Sequence, residues 1–381
     1  MRIKIIIIAV LGMVSSVLSA TPSNINMTRG VTDISHRVYD LHMTILIICC
    51  LIGVVVFGAM FYAIVKHRKS QGAVAAQFHE STKVEIIWTV IPFLILIGMA
   101  IPATKTLIEM EDNSKSDITI KVTGSQWKWH YEYFDQDFGF YSLLATPPEQ
   151  FNNLDGKNAD VAKGEHYLLE VDKPLVLPIG KKIRFLVTAD DVIHSWWVPA
   201  FAVKQDANPG FINEAWTIIN EPGIYRGQCA ELCGKDHGYM PVVVKAVTQD
   251  EYAVWLDEQK QSVIQAKKDA EQALASTLTM EESMTLGESL YVTRCAACHQ
   301  PNGAGIPGVF PALKNSPMIL NDRAAHIDIV VNGKAGTAMQ AFKGQLTAKE
   351  IAAIVTYERN AWGHDTGDVI QVSDVDAKGA K

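Results

Sequence analysis

Two long apolar stretches near the N-terminus constrain the fold of this chain more than any other feature. They cover residues 42–65 and 86–107, and each is long enough to cross a bilayer as a helix. Between them lies Lys66-His-Arg-Lys69, a basic cluster typical of a cytoplasmic loop. We therefore expect a two-helix membrane hairpin, with everything after it on the outer side of the membrane.

The first 20 residues predict a secretory signal peptide. They begin with Met-Arg-Ile-Lys, continue as a short apolar run and end at Ser19-Ala20, a plausible cleavage point. The alternative is a third membrane anchor, against which the shortness of the run argues. Cys49 and Cys50 lie inside the first long apolar stretch, where we interpret them as small hydrophobic residues rather than reactive groups.

The remainder of the 381-residue chain is long enough for two or three domains. A net charge of -7 does not suggest nucleic-acid binding, and it suits a basic protein partner. Residues 118–122, 166–171 and 182–187 have the character of strands, mostly alternating apolar with polar residues, and Pro and Gly punctuate the region around them. This pattern predicts an all-β sandwich.

One loop concentrates soft metal donors. Cys229-Ala-Glu-Leu-Cys-Gly-Lys-Asp-His237-Gly-Tyr-Met240 carries two thiols, an imidazole and a thioether. Such a set favours copper and electron transfer, and a second cysteine indicates two bridging thiolates and two metals. His194 is placed to supply a further histidine. The alternatives are a disulfide, which is common in exported chains, and a structural zinc site.

With His194 upstream, this Cys-x3-Cys-x3-His-x2-Met pattern resembles the dinuclear copper (CuA) domain of cytochrome c oxidase subunit II. The resemblance implies a cupredoxin-like Greek-key sandwich. It also implies that Glu231 gives its backbone carbonyl to copper and its carboxylate to a magnesium site shared with the catalytic subunit. The copper ligands it implies are His194, Cys229, Glu231, Cys233, His237 and Met240.

A second motif, Cys295-Ala-Ala-Cys298-His299, has the spacing that attaches haem through two thioethers and ligates its iron through histidine. A thioredoxin-like redox pair fits less well, because no βαβ pattern surrounds the motif. Residues 280–365 resemble a class I c-type cytochrome, all-α in fold and carrying one covalent haem c. By that resemblance the Pro311 carbonyl accepts a hydrogen bond from His299. The sixth iron ligand is Met318 or Met339, and the loop Gly336-Thr-Ala-Met339 favours Met339.

Two further residues acquire roles only through the resemblance. Trp127, in Gln126-Trp127-Lys-Trp129, matches the position through which subunit II proteins receive electrons, whereas we interpret Trp129 as a core residue. Glu85 opens the second apolar segment and matches the cytoplasmic mouth of a proton path into subunit I. Without the resemblance, Glu85 is simply an interfacial carboxylate.

The resemblance covers residues 30–365 and implies a bacterial oxidase subunit II of the caa3-like type, with a fused cytochrome c domain. We expect a multi-domain chain in the following order: signal peptide 1–20, membrane segment 21–110, cupredoxin-like domain 111–249, helical linker 250–279, cytochrome c domain 280–365 and flexible tail 366–381.

The implied function is one-electron relay. The chain would accept electrons from cytochrome c or another periplasmic donor through its own haem and copper centres. It would pass them to subunit I, where oxygen is reduced to water and protons are translocated. Subunits I and III, membrane lipid and the bacterial inner membrane complete the expected setting. A quinol-oxidase subunit would lack the copper ligands. A membrane-anchored electron carrier, or the electron-accepting module of another terminal reductase, remains the alternative.

Overall fold

The computed structural model describes residues 26–74, 77, 79–151, 162–334 and 337–379. The signal peptide predicted at residues 1–20 lies outside them. Two helices among the described residues are long and apolar enough to cross a membrane, α1 (Asp33–Lys66) and α2 (Thr82–Met110). Both extend beyond the apolar stretches, and their apolar side chains are largely exposed in the isolated chain. Arg37 pairs with Glu109 and ties the outer ends of the hairpin together.

The start of α1 is fastened to the soluble part of the chain. Thr32 caps α1 by accepting a hydrogen bond from the Ser35 amide, and its own hydroxyl donates to the Phe201 carbonyl oxygen at 3.1 Å. Val31 donates its amide to the Ala200 carbonyl oxygen at 2.9 Å and accepts one from Asn220 at 3.0 Å. The membrane hairpin therefore meets the soluble domain through backbone contacts rather than through a loose tether.

The region that follows is a sandwich of two five-stranded sheets in the described residues. One sheet has the order β3-β2-β1-β5-β8 and the other β4-β10-β9-β6-β7. Non-sequential neighbours and the parallel pairs β1–β5 and β4–β10 define Greek-key crossovers. The strands are β1 (Ile118–Ser125), β2 (Lys128–Tyr133), β3 (Phe138–Ser142), β4 (Leu175–Pro178), β5 (Lys182–Ala189), β6 (His194–Val198), β7 (Val203–Ala207), β8 (Asn213–Ile218), β9 (Gly223–Cys229) and β10 (Pro241–Val247).

The core between the sheets forms because alternate residues of each strand face inward. Along β5 every second residue is buried, from Ile183 to Ala189. Trp129, Phe185 and Trp196 are fully buried there, and the Phe185 and Trp196 rings lie 4.7 Å apart. The prediction of a β-sandwich is confirmed, and Trp129 is a core residue as expected.

One of the predicted strands is wrong. Residues 166–171 form a turn, with Leu168 at a positive φ of 61° and the Leu169 amide donating to the His166 carbonyl oxygen. Only Val171 makes an isolated bridge, to Leu144. Alternating polarity is too short a signal here to distinguish a strand from a turn that places its apolar side chains on one side. A one-turn helix, α3 (Pro148–Phe151), also interrupts the strands.

A long helix, α4 (Gln249–Leu274), leads out of the sandwich. Thr248 and Glu251 form a capping box at its start. The first turns belong to the sandwich core, because Tyr252 is buried and the Trp255 ring lies 5.2 Å from that of Tyr133. Beyond them the side chains are mostly exposed, as a polar spacer requires.

The C-terminal region is helical, as predicted for a cytochrome c domain. The helices of residues 280–360 are α5 (Met280–Arg294), α6 (Ala296–His299), α7 (Pro317–Asn321), α8 (Arg323–Asn332) and α9 (Ala348–Asn360). Helices α5 and α9 pack closely, since a β-carbon on Gly287 would lie only 2.2 Å from the Ala353 carbonyl oxygen. Glycine is therefore required at this helix crossing.

The predicted flexible tail is a correction. Residues 366–379 pack onto the helical domain and include helix α10 (Val372–Gly379). Ile370, Val372 and Val375 are at most 3% exposed and join its hydrophobic core. The Gln371 side chain exchanges hydrogen bonds with the backbone of Leu278 at the start of the domain. Three apolar residues in an otherwise polar segment are a weak sequence signal, yet they close this core.

Candidate metal centres

Strand register brings the copper-loop residues together. His194 opens β6 and Cys229 ends β9, and these strands pair so that Trp196 lies opposite Cys229. The Ala230 amide donates to the Ser195 carbonyl oxygen at 3.0 Å, which fixes where the loop leaves the sheet. The other candidate donors lie in the loop between β9 and β10, at residues 230–240. Two chain segments that are distant in sequence thus meet at one end of the sandwich.

The donor atoms surround one buried point. The Cys229 and Cys233 sulfurs lie 3.9 Å apart, and each side chain belongs to a residue that is 3% exposed. Nδ1 of His194 lies 3.9 Å from the Cys229 sulfur, while Nδ1 of His237 and the Met240 sulfur lie 3.4 and 3.6 Å from that of Cys233. His194, Cys229 and Cys233 form a cluster capable of holding a metal ion.

The same geometry argues against a disulfide and against a simple zinc site. A disulfide requires sulfurs about 2.05 Å apart, and these are nearly twice that distance from each other. A structural zinc site uses four nitrogen or thiolate donors, whereas here a thioether and a carbonyl also face the cluster. The Cys229 sulfur lies 3.2 Å from the Glu231 carbonyl oxygen. Soft sulfur donors with two imidazoles fit copper.

The two thiols share protons in a way that suits anionic sulfur. A hydrogen bond from Cys233 lowers the pKa of Cys229 to about 3, against the opposing effect of burial. Donation to that neighbour, together with burial, raises the pKa of Cys233. One thiolate therefore forms readily in the metal-free chain, and the second needs a cation to stabilise it. A metal dication supplies such a charge.

Contacts from outside the donor set orient His194. Nε2 of His194 lies 2.9 Å from the Asp191 carboxylate, which also accepts amide hydrogen bonds from Gln126 and Val192. Burial opposes the charged imidazole, but Asp191 and Cys229 outweigh it and raise the pKa of His194. Gly124 leaves room for the ring, because a β-carbon there would lie 3.0 Å from it. Such contacts set ring orientation and ligand basicity.

Trp127 contacts the copper loop directly. Its Nε1 donates to the Cys233 carbonyl oxygen at 3.2 Å, and the Gln126 side chain donates to the same oxygen at 2.8 Å. Trp127 is half-buried. Sequence reasoning identified Trp127 but missed the supporting residues Gln126, Asp191 and Gly124. Their only signal was proximity in sequence, Gln126 beside Trp127 and Asp191 three residues before His194.

The haem-binding motif lies on the short helix α6 and the turn before it. Cys295, Cys298 and His299 are all half-buried. Nδ1 of His299 donates to the Pro311 carbonyl oxygen at 2.9 Å, which leaves Nε2 to face a metal. Gly305, at a φ of 63°, permits this contact, because a β-carbon there would lie 2.6 Å from the same carbonyl oxygen. Both features fit an axial histidine held by its second nitrogen.

The two candidate sixth ligands differ in their surroundings. Met339 and Cys295 pack against the same hydrophobic cluster, which includes Val330, Val331 and Ile354. Met318 lies on helix α7 and is not part of that cluster. Gly336, in the loop motif, lies outside the described residues.

The copper loop and the haem-binding motif lie against each other. Lys235 falls between Cys233 and His237, and its Nζ lies 3.4 Å from the carbonyl oxygen of Ala297, between the two motif cysteines. The same ammonium lies 5.7 Å from the centre of the Phe310 ring. A second contact joins Gly344 to Tyr141, since a β-carbon on Gly344 would lie 3.7 Å from that ring. The two candidate centres are thus neighbours in this chain.

Fold and sites together define an electron-transfer protein with a membrane hairpin, a copper-binding sandwich and a haem-binding helical domain. Three families match in the same order. Residues 20–106 match the transmembrane domain of cytochrome c oxidase subunit II, and residues 118–247 match its periplasmic domain. Residues 282–357 match a family described as cytochrome c oxidase, cbb3-type, subunit III.

Individual relatives agree. A Rickettsia conorii protein named probable cytochrome c oxidase subunit 2 is 36% identical over 247 residues, which are 65% of this chain and 75% of the relative. A Cyanidium caldarium cytochrome c oxidase subunit 2 is 37% identical over 62% of this chain and 91% of its own. The crystal structure of the periplasmic domain of subunit II from Bradyrhizobium japonicum is 43% identical, covers 39% of this chain and 96% of its own, and has a TM-score of 0.34. The chain belongs to the cytochrome c oxidase subunit II family and carries a C-terminal cytochrome c domain.

Proposed function

We propose that this chain accepts electrons at its cytochrome c domain and passes them through its copper-binding domain to subunit I of the oxidase. The contact of Lys235 with Ala297 and Phe310 carries this proposal. A residue between two proposed copper ligands reaches a residue between two proposed haem-attachment cysteines. Short separation of the centres favours transfer within the chain over transfer from a separate protein.

The proposed copper ligands are the six residues whose donor atoms converge at the end of the sandwich. When bound, a copper pair supplies one-electron transfer. Residues of a rigid sandwich hold the donors in place, so little rearrangement accompanies a change of charge. The Glu231 backbone carbonyl faces the Cys229 sulfur at 3.2 Å, in line with its proposed role. The full set is His194, Cys229, Glu231, Cys233, His237 and Met240.

The proposed haem ligation uses the half-buried motif and one methionine. Cys295 and Cys298 would bind haem c covalently, and His299 would ligate the iron from one side. Hydrogen bonding to Pro311 supports this role, because it fixes the tautomer and increases the basicity of the ligating nitrogen. Met339 would ligate from the other side, supported by its packing against the same cluster as Cys295.

The surface around the copper loop supports contact with other oxidase subunits. Leu232, between the proposed ligands Glu231 and Cys233, is 83% exposed, and nearby Ile193 is 48% exposed. Exposed apolar residues clustered near a functional loop favour a protein partner. We assign that partner to subunit I, with subunit III in the same complex. The Glu231 side chain is exposed and would share a magnesium ion with subunit I.

The remaining proposed roles concern electron and proton routes. Trp127 would conduct electrons to copper, supported by its hydrogen bond to the Cys233 carbonyl. Glu85, in the first turn of α2, would open a proton path into subunit I. There oxygen would be reduced to water with proton translocation. The location we propose is the bacterial inner membrane, with the soluble domains on the periplasmic side.

Stepwise reduction of the purified oxidase tests the relay. We expect a reduced c-type cytochrome, mixed rapidly with the oxidised complex, to reduce the covalent haem before the copper absorption changes. Oxygen uptake should follow. Copper reduction that precedes haem reduction would contradict the proposed order.

Copurification separates the oxidase from the alternative, an electron carrier or a module of another terminal reductase. We expect the full chain, purified in mild detergent, to bring with it a multi-span subunit that contains haem and copper. Isolation of the chain with its copper and haem intact but without such a subunit would favour the alternative. The two-helix hairpin argues for the oxidase, since a simple carrier needs only one anchor.

A further inference from the structure

Lys235 is the one residue of the copper loop that the structure shows reaching the haem-binding motif. It lies between Cys233 and His237, and its backbone therefore moves with the proposed copper ligands. Its side chain leaves the sandwich and contacts the helical domain at two places. These are the Ala297 carbonyl oxygen at 3.4 Å and the Phe310 ring, whose centre is 5.7 Å from Nζ.

Both partners suit an ammonium group. Ala297 belongs to the last turn of helix α6, where carbonyl oxygens have no acceptor role within the helix and remain free to accept. A cation within about 6 Å of an aromatic ring centre is attracted to the ring face. Phe310 is also adjacent to Pro311, whose carbonyl holds His299. One side chain thus touches both sequence segments that surround the proposed haem.

Electrostatics at the motif agree with this contact. Burial raises the pKa of Cys298, the charge of Lys235 opposes that rise and the charge of Asp236 adds to it. Two consecutive copper-loop residues therefore act on a proposed haem-attachment cysteine. The separate contact between Gly344 and Tyr141 gives the domains a second point of support and limits rotation about the Lys235 contact.

We propose that Lys235 is a docking residue that holds the cytochrome c domain against the copper loop and so sets the rate of electron transfer between them. This inference rests on the proposed function and goes beyond it by assigning the positioning of the two centres to one side chain. Lys235 would neither bind metal nor carry the electron. Its removal should change the rate of transfer and leave both centres unaltered.

The test measures intramolecular electron transfer in the complete oxidase. A photoexcited ruthenium complex in solution injects one electron into the covalent haem, and the absorbance of copper reports its arrival. We expect Lys235→Gln to slow this step by about three- to tenfold, the range for loss of one cation–π contact and one charged hydrogen bond. Lys235→Arg keeps the charge and should stay within about twofold. Lys204→Gln, at an exposed lysine of β7, is the matched control and should not change the rate.

A variant on the other domain guards against damage to the copper loop. Phe310→Leu leaves the copper ligands untouched and should slow transfer by less than Lys235→Gln does, because the Ala297 contact remains. The double variant should be no slower than Lys235→Gln alone, since both changes break the same contact. Copper resonance and haem absorption are recorded for every variant, as a readout independent of activity.

The outcomes divide cleanly. Wild-type rates in both Lys235→Gln and Phe310→Leu, or multiplied effects in the double variant, would overturn the docking role. If Lys235→Gln loses its copper signal, Phe310→Leu decides: a slower step supports docking and an unchanged step overturns it. Absence of any haem-to-copper transfer in the wild-type complex would instead refute the proposed function.

Discussion

The copper-binding and haem-binding regions of this chain place their reactive residues in different ways. At the end of the sandwich, donors from β6, β9 and the following loop converge, and Cys229 and Cys233 are almost wholly buried. In the helical domain, Cys295, Cys298 and His299 come from one continuous segment and are half-buried. The first site depends on pairing between distant strands, and the second on spacing within a few residues.

This difference assigns different supports to the two sites. The sandwich supplies Asp191, Gly124 and Gln126 around the copper donors, so a change of ring orientation requires movement of several strands. The haem motif has a single carbonyl contact, from Pro311 to His299. Haem is attached to such a motif by covalent bonds, which need correct spacing more than a rigid frame. We therefore expect the two sites to fail independently and for different reasons.

The largest expected effect is that of Cys229→Ser. Loss of one bridging thiolate should abolish the mixed-valence copper resonance and stop transfer of electrons from haem to subunit I, because a hydroxyl is a poor ligand for this soft metal. The covalent haem band should persist. Cys49→Ser, in membrane helix α1, is the matched control and should leave the resonance intact. A retained copper signal in Cys229→Ser would show that the donors are assigned incorrectly.

The reciprocal experiment replaces Cys295 and Cys298 together by Ala. Covalent haem should be lost completely, because no thiol of the motif remains to form a thioether. Haem staining of the denatured chain measures this, and copper resonance should be unchanged. The adjacent pair Cys49 and Cys50, changed together to Ser, is the control. Simultaneous loss of copper would break the comparison, since it would make the copper site dependent on haem attachment.

Asp191→Asn tests the supporting shell of the copper site. We expect a fall of about 10- to 100-fold in copper affinity, the usual cost of losing a carboxylate behind a ligating histidine. Asp191 and Cys229 raise the pKa of His194 against the effect of burial. Protons compete with copper below that pKa, so affinity falls as the pH falls through it.

Without the Asp191 carboxylate the pKa of His194 is lower, and the acid loss of copper should move to lower pH. Competition with a copper chelator across a pH series measures both effects. Asp190→Asn is the matched control, since the carboxylate that contacts His194 belongs to Asp191. Equal effects of the two changes would indicate loss of general charge rather than of a specific hydrogen bond.

The smallest expected effect concerns Lys128, a buried lysine of β2 next to Trp127. Burial lowers its pKa from 10.5 to about 8, although Asp191 and Asp190 act in the opposite direction. The unfolded chain then binds more protons than the folded chain between those values, so the stability of the sandwich should rise with pH across that window. Below it, the buried charge is a net cost.

Lys128→Met should therefore stabilise the sandwich at pH 7 by about 1–3 kcal/mol and remove its rise in stability at alkaline pH. Calorimetry of the full chain across pH measures both, with Lys204→Met as the control at an exposed site. Destabilisation at pH 7 would mean that the neighbouring carboxylates fully compensate the lysine. The result sharpens the comparison, because it measures how much strain the copper-supporting frame tolerates.

Sequence reasoning succeeded where chemistry is local. The spacing of Cys229, Cys233, His237 and Met240 on one loop, and of Cys295, Cys298 and His299 on another, points to metal chemistry without a fold. It failed where short patterns are ambiguous. The segment 166–171 alternates like a strand but forms a turn, and the tail beyond residue 365 has too few apolar residues to predict its packing.

The amino-acid sequence by itself determined the membrane hairpin, the β-sandwich class and both donor sets, because period, length and ligand spacing are properties of consecutive residues. Only the tertiary structure decided which distant residues support those donors. Asp191 behind His194, Gly124 beneath its ring, and Lys235 against Ala297 depend on strand register and domain packing. No local pattern encodes these contacts, since each joins segments whose proximity exists only after the chain has folded.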